Sequence, residues 1–300
     1  MKKNTYRGLS PEGFHQLSYL EWGDPSKPTI IAVHGLLRNA YDFHYFATAM
    51  QDHYHIVAPH VVGRGDSAWL SNPNLYTFPQ YLSDMNTLIA RLNVDRVIWV
   101  GTSMGGLIGM MLAAQPHTPL THLVLNDVGA TVSHDALLAI TQYAQHNKSF
   151  ATHTEAKAFY RPFYQKIGVV EDRHLEHMIT TSHKQTAAGF YVPTYDPKLI
   201  PPPPIKEHII PGKWFDKILH HFDHTPPMDF SVFWEKIKIP VLILRGGDSK
   251  ILTADTVHTM QRGHPLTDTV TFPGIDHAPS LDVPSHYYHI GQWLHSRGVY

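Results

Sequence analysis

The sequence predicts an α/β fold with a mostly parallel central sheet flanked by helices. Three observations predict it. Short β-rich runs alternate with helical patterns through the first 130 residues. Most of those runs are apolar throughout, as strands covered on both faces must be. The alternation breaks between about residues 130 and 235 and then resumes, so one core is interrupted by an insertion. Strands separated by helices imply βαβ units.

Taken in order, residues 14–22 (FHQLSYLEW) alternate loosely and stop at Gly23-Asp24-Pro25. Residues 29–34 (TIIAVH), 54–59 (YHIVAP) and 96–100 (RVIWV) read as buried strands. In residues 81–92, Leu82, Met85, Leu88, Ile89 and Leu92 recur at helical spacing. Residues 104–114 are apolar nearly all round, the pattern of a fully buried helix. Residues 122–125 give the next strand, and after the break come 239–245 (IPVLILR), 269–272 and a helix over 285–296 with Ile290, Trp293 and Leu294 on one face. The expected organisation is a core over 1–130, a mainly helical lid insertion over 131–234, and the rest of the core over 235–300. No clear strand is legible in the insertion, whose Pro201–Pro204 run fits neither helix nor central sheet. An insertion leaving between two strand ends would lie over the edge where open α/β sheets bind ligands.

Composition excludes several classes. The 300 residues carry 24 Lys+Arg and 25 Asp+Glu, a formal net charge of −1, without the basic footprint of a nucleic-acid binder. There is no cysteine, which removes disulfides, thiolate metal sites and cysteine nucleophiles together. No apolar stretch approaches the ~20 residues of a membrane span, and the N-terminus reads as no secretory signal, so a cytoplasmic protein is expected. Histidine is in excess, 24 of 300, spread along the whole chain. Its most metal-like cluster is His220-His221-Phe222-Asp223-His224, where His220 and His224 fit one helical face, but Pro226-Pro227 follow directly and no H-E-x-x-H accompanies them, so no metal site is assigned.

Gly101-Thr102-Ser103-Met104-Gly105 fits G-x-S-x-G. A strand ends at Gly101 and the apolar helix starts after Ser103, the strand–turn–helix setting in which a strained turn projects a nucleophile. The Met104 amide, at the helix N-terminus, is placed to donate to a developing oxyanion.

Together with His34–Phe43 (HGLLRNAYDF), Gly63–Ser67 (GRGDS), Leu125–Gly129 (LNDVG), Leu244–Ser249 (LRGGDS) and Gly274–Asp282 (GIDHAPSLD), this motif resembles the lid-bearing α/β-hydrolases, a superfamily of esterases, C–C-bond hydrolases and haloalkane dehalogenases. The resemblance covers the core and much less of the insertion. It implies Ser103 as nucleophile, His277 as general base, the Leu36 amide as second oxyanion donor and His34 as support for that loop. It implies no cofactor. Arg38 and Asn39 follow Leu36 and are expected to hold the loop more than to line the pocket.

The acid is open between two residues. Most relatives carry it after the strand at 241–244, where Asp248 lies, but their usual slots are Ser249 or Lys250 here. Asp127, at the end of the preceding strand, is the preferred alternative, as in some haloalkane dehalogenases. Asp276, beside His277 in sequence, is an unlikely orienter because adjacent loop side chains usually diverge.

A serine with a histidine base suits acyl transfer, so the expected activity is hydrolysis of an apolar small-molecule carboxylic ester or related acyl compound. Serine at 103 argues against halide or epoxide cleavage, where relatives carry aspartate. The alternatives are a meta-cleavage type C–C hydrolase with the same triad, and a non-catalytic ligand-binding member of the fold. Oligomeric state is left open. Lid aromatics such as Phe159, Phe163, Tyr164 and Trp214 are expected mainly to pack, a few facing an apolar substrate.

Overall fold

The computed structural model describes residues 1–133, 136, 149–199 and 228–299. The chain opens with a hairpin, β1 (Lys2–Ser10) and β2 (Gly13–Trp22), paired antiparallel from Lys2–Glu21 to Ser10–Gly13. The buried positions near the end of β1 are Tyr6, Gly8 and Ser10, which carry no apolar run; this is why the sequence does not announce the strand. Strand β3 (Thr29–Val33) is buried at every position. A 3-10 turn over Ala40–Phe43, capped by the Asn39 side chain on the Tyr41 amide, leads into α1 (His44–Met50) and β4 (His55–His60). Helix α2 (Phe78–Leu92) starts at Thr77, whose hydroxyl caps the Gln80 amide, and ends at a left-handed Asn93. Its buried stripe holds Tyr81, Asp84, Met85, Leu88 and Ile89, so the inward face is turned slightly from the one the apolar spacing predicts.

Next come β5 (Val97–Thr102), α3 (Met104–Ala113) and β6 (Leu120–Asn126). Between β6 and β11 lie β7 (Thr131–Val132), α4 (His153–Lys166), α5 (Asp172–Ser182), β8 (His183–Gln185), β9 (Tyr191–Pro193), β10 (Met228–Asp229) and the short α6 (Ser231–Trp234). The chain closes with β11 (Val241–Gly246), α7 (Ala254–Gly263), β12 (Thr267–Phe272) and α8 (Pro284–Ser296).

Eight strands form one sheet in the order β1-β2-β4-β3-β5-β6-β11-β12, with β1 and β2 antiparallel to their neighbours and the rest parallel. One apolar cluster, with Met85, Leu88, Trp99 and Ile108, fills one face. A second, with Phe43, Phe46, Ile290 and Leu294, fills the other. That is the three-layer arrangement in which apolar strands are covered twice.

The segment between β6 and β11 corrects one expectation: it contains short strands. β7 pairs antiparallel with β10, clasping the points where the chain leaves and rejoins the core, and β8 with β9 forms a small hairpin. Helices α4 and α5 share a cluster of their own with Tyr160, Tyr164, Leu175, Met178 and Ile179. The strands escape notice because they are two or three residues long, too short for any period. The segment is tied to the core by backbone bonds from Asp276 N to Lys166 O (2.8 Å), Ser280 N to Ile167 O (3.0 Å) and Asp196 N to Gly63 O (2.8 Å). The His220–His224 cluster, the proline run and Trp214 lie outside the described residues. Among the described residues, no helix is long and apolar enough to cross a membrane, and no group of three or more His, Asp or Glu is placed to hold a metal ion.

Candidate active site

Strand β5 passes into α3 through a single residue, Ser103, at φ 51° and ψ −115°. A non-glycine residue rarely adopts this conformation, and such strain collects at functional turns. The surroundings enforce it. The Ser103 amide donates to Asn126 O (2.9 Å) at the end of the neighbouring strand, and Gly106 N returns to Ser103 O (2.9 Å). The turn is tight enough that a Cβ on Gly101 would stand 2.3 Å from Gly105 O, and one on Gly105 would stand 2.1 Å from Val33 O. The two glycines of the motif are therefore steric requirements of strand–helix packing.

Parallel neighbours end together at one edge, which gathers the remaining groups. His277 lies in the loop after β12, its amide donating to Asp276 Oδ1 (2.8 Å). Its Nε2 is 3.0 Å from Ser103 Oγ and its Nδ1 is 2.6 Å from Asp127 Oδ2. Asp127 is the first residue beyond β6, at φ 56°, and is completely buried. Its other oxygen accepts the Gly246 amide (2.8 Å), and its own amide donates to Leu244 O (2.8 Å). Of the two acid candidates, Asp127 meets the imidazole. Asp248 is exposed, its amide bonded to Ile275 O (2.9 Å), and its side chain is not among the partners of His277. Asp276 engages a backbone amide instead of a ring nitrogen.

The loop after β3 brings Gly35 and Leu36 against the serine: a Cβ on Gly35 would lie 3.7 Å from Ser103 Cβ. Leu36 and Ser103 line the same cavity, and Met104 opens α3 beside them. His34 fixes the start of this loop. Its Nδ1 bonds Gly35 O (2.7 Å) while Nε2 accepts the Val61 amide (3.1 Å), which requires a neutral ring. Burial, with Arg64 nearby, holds its pKa well below the ordinary histidine range.

Arg64 is a residue that sequence reasoning passed over, although its motif Gly63–Ser67 was in plain view. It is fully buried. Nε donates to Leu36 O (2.9 Å), Nη1 to Val62 O (2.7 Å) and Tyr81 Oη (3.0 Å), and Nη2 reaches Met104 Sδ at 3.6 Å. The guanidinium also stands 5.1 Å from the Tyr81 ring centroid. One side chain thus braces both the Leu36 loop and the start of α3. Arg38 is both a loop-holder and a pocket residue: it pairs with Asp42 through Nε (2.9 Å), donates to Tyr164 Oη (2.6 Å) on α4, and lines the cavity.

The cavity over Ser103 and His277 encloses about 360 Å³. Leu36, Leu37, Phe43, Ile167, Met178 and Leu281 make most of it apolar. Of the aromatics expected in the insertion, Phe163 and Tyr164 line it. A hydroxyl, an imidazole and a buried carboxylate in this sequence of contacts can pass a proton from the serine and return it to a leaving group.

The α/β hydrolase fold family model matches residues 28–284. The chain belongs to the α/β-hydrolase fold family. As an α/β-hydrolase it is 37% identical over 286 residues to a 3-hydroxybutyrate-oligomer hydrolase of Cupriavidus necator, covering 92% of each chain. An α/β hydrolase from Novosphingobium aromaticivorans superposes with TM-score 0.82 at 30% identity over 98% of both chains. A Rickettsia typhi protein gives 0.86 at 30% identity over 99% of both. This α/β-hydrolase is accordingly an enzyme of the hydrolase class.

Proposed function

We propose that the protein hydrolyses carboxylic esters through an acyl-enzyme on Ser103, and that its substrates are short esters built from a hydroxy acid. His277 accepts the serine proton and returns it to the leaving alcohol. Asp127 holds the imidazole in the tautomer this requires, and the Leu36 and Met104 amides receive the oxyanion. Water then repeats the sequence on the acyl carbon. The observation that carries the reading is the unbroken contact chain Ser103 Oγ–His277 Nε2 (3.0 Å) and His277 Nδ1–Asp127 Oδ2 (2.6 Å) beneath an apolar cavity. The substrate class is supported by the relative named for hydrolysis of a hydroxybutyrate oligomer, similar along almost the whole chain. Residues 131–234 serve as the lid, a role supported by Phe163, Tyr164, Ile167 and Met178, which form one wall of the cavity.

The test is a burst of p-nitrophenol from p-nitrophenyl butyrate, together with covalent labelling by a fluorophosphonate. Both should vanish in Ser103→Ala. Labelling that persists in that variant, or unchanged turnover, sinks the assignment.

A further inference from the structure

Resting on that reading, we infer that Lys250 is the specificity residue for the charged end of the substrate, binding a carboxylate carried on the leaving alcohol. Lys250 is exposed and lines the cavity of Ser103 and His277. Among the described residues, the other Lys, Arg, Asp and Glu of the cavity wall are Arg38, Asp42 and Asp276. Arg38 and Asp42 neutralise one another as a fork-shaped pair, and Asp276 Oδ1 accepts the His277 amide. Lys250 forms no hydrogen bond and no ion pair among the described residues. Among the described residues, it is the lysine or arginine of this cavity not committed to a carboxylate.

Its backbone is held. The Ser249 hydroxyl accepts the Ile251 and Leu252 amides (3.2 and 3.3 Å), and Arg245 clamps Leu252 O (2.9 Å) and Gly247 O (3.0 Å). The same loop is bonded to the histidine loop through Asp248 N and Ile275 O (2.9 Å). With the acid supplied by Asp127, this loop contributes backbone but no carboxylate to the imidazole, and its side chain at position 250 is open to another use.

Position gives the polarity. During acylation the ester C–O bond breaks, the acyl carbon bonds to Ser103 Oγ, and the departing oxygen takes the proton that His277 received from the serine. The leaving alcohol therefore lies on the histidine side, opposite the Leu36 and Met104 amides. In a hydroxy-acid ester that alcohol bears the free carboxylate on a short carbon link. An ammonium on a loop joined to the histidine loop is on the correct side to meet it, and a charge-assisted hydrogen bond to a carboxylate is the natural contact. The protein then removes hydroxy-acid units from the carboxylate end, one ester bond at a time.

The experiment compares the linear dimer of 3-hydroxybutyrate with its methyl ester, which differs only in the terminal charge, in wild type, Lys250→Met, Lys250→Glu and Lys250→Arg. The kcat/KM ratio of free acid to methyl ester should fall about tenfold or more in Lys250→Met, mainly through KM, fall further in Lys250→Glu and be largely kept in Lys250→Arg. Inhibition by free 3-hydroxybutyrate should weaken in parallel. A ratio unmoved by all three substitutions overturns the assignment. So does a wild type that turns over p-nitrophenyl butyrate but does not prefer the free acid, and this leaves the serine-esterase reading intact. Wild type inert toward every ester overturns both.

Discussion

Asp127 and Gly246 stand at the ends of adjacent strands, and the Gly246 amide donates to Asp127 Oδ1 at 2.8 Å. The bond lets a carboxylate from β6 occupy the space beside the imidazole while β11 contributes only backbone. The other oxygen is then left for His277 Nδ1. Asp127→Asn should keep the fold and lower kcat by orders of magnitude, roughly 10⁴ by analogy with a serine-protease triad, because the imidazole loses its tautomer and its counter-charge. Asp248→Asn, at an exposed side chain, should stay within a factor of a few of wild type. Steady-state kinetics on p-nitrophenyl butyrate distinguish the two. The reverse ranking would return the acid to Asp248.

How much of this was legible in the sequence depends on how local each signal is. The buried strands and α3 show themselves as apolar runs, and Ser103 is marked by glycines that its turn cannot do without. His277 is marked by its place after the last strand. The sequence narrows the candidate acid only to Asp127 or Asp248, because these strand ends are 121 residues apart along the chain and no local pattern says which one meets the imidazole; the contact with Asp127 appears only in the folded chain. Arg64 was illegible for a different reason. Its partners are carbonyls, a hydroxyl and an aromatic face, and no residue pattern encodes a backbone acceptor. The β1 strand and the short insertion strands were missed because their pairing, rather than any periodicity, defines them.

The histidine excess acts through the interior. His34, His60, His174, His183 and His286 are all buried, and burial pushes their pKa values down, His183 to about 4. In the unfolded chain each would titrate near 6.5. The unfolded state therefore binds protons below that pH while the folded state does not. Their stabilisation is complete above pH 6.5 and is lost as pH falls toward the folded-state values. The melting temperature should drop steeply between pH 7 and pH 5. A flat profile over that range would contradict the buried, neutral state of these rings.

Asp282 titrates the opposite way. Its side chain is fully buried and holds no ion pair among the described residues, and burial, then the Asp42 charge, raises its pKa well above the carboxylate range, with the Tyr45 amide and Arg38 only partly opposing. A raised carboxyl favours the fold below the unfolded pKa of about 3.9, and that advantage disappears as pH climbs through the folded value. Asp282→Asn keeps the shape and removes the ionisation. It should stabilise the protein by about 1–3 kcal/mol at pH 8 and by less at pH 5. Urea denaturation at the two pH values reads the difference. Equal destabilisation at both would show that the carboxyl has a partner the asparagine cannot replace.

In the proposed mechanism Arg64 links mechanically the two segments whose amides receive the oxyanion, so its loss should appear in turnover before it appears in binding. The guanidinium holds Leu36 O at 2.9 Å and touches Met104 Sδ at 3.6 Å, so the loop and the helix start share one brace. Arg64→Lys keeps the charge but cannot span Leu36 O, Val62 O and Tyr81 Oη together. The buried carbonyls it abandons should cost about 1–3 kcal/mol of stability. A loop that no longer keeps the Leu36 amide in place weakens oxyanion binding, whose full loss at one donor costs about 10²–10³ in kcat. Arg64→Lys should therefore lower kcat at least tenfold with KM nearly unchanged, and should slow phosphonylation of Ser103 by the same factor, since that reaction also builds charge on an oxygen in the same place. A rise in KM at constant kcat would mean that Arg64 shapes the cavity and leaves the oxyanion donors where they are.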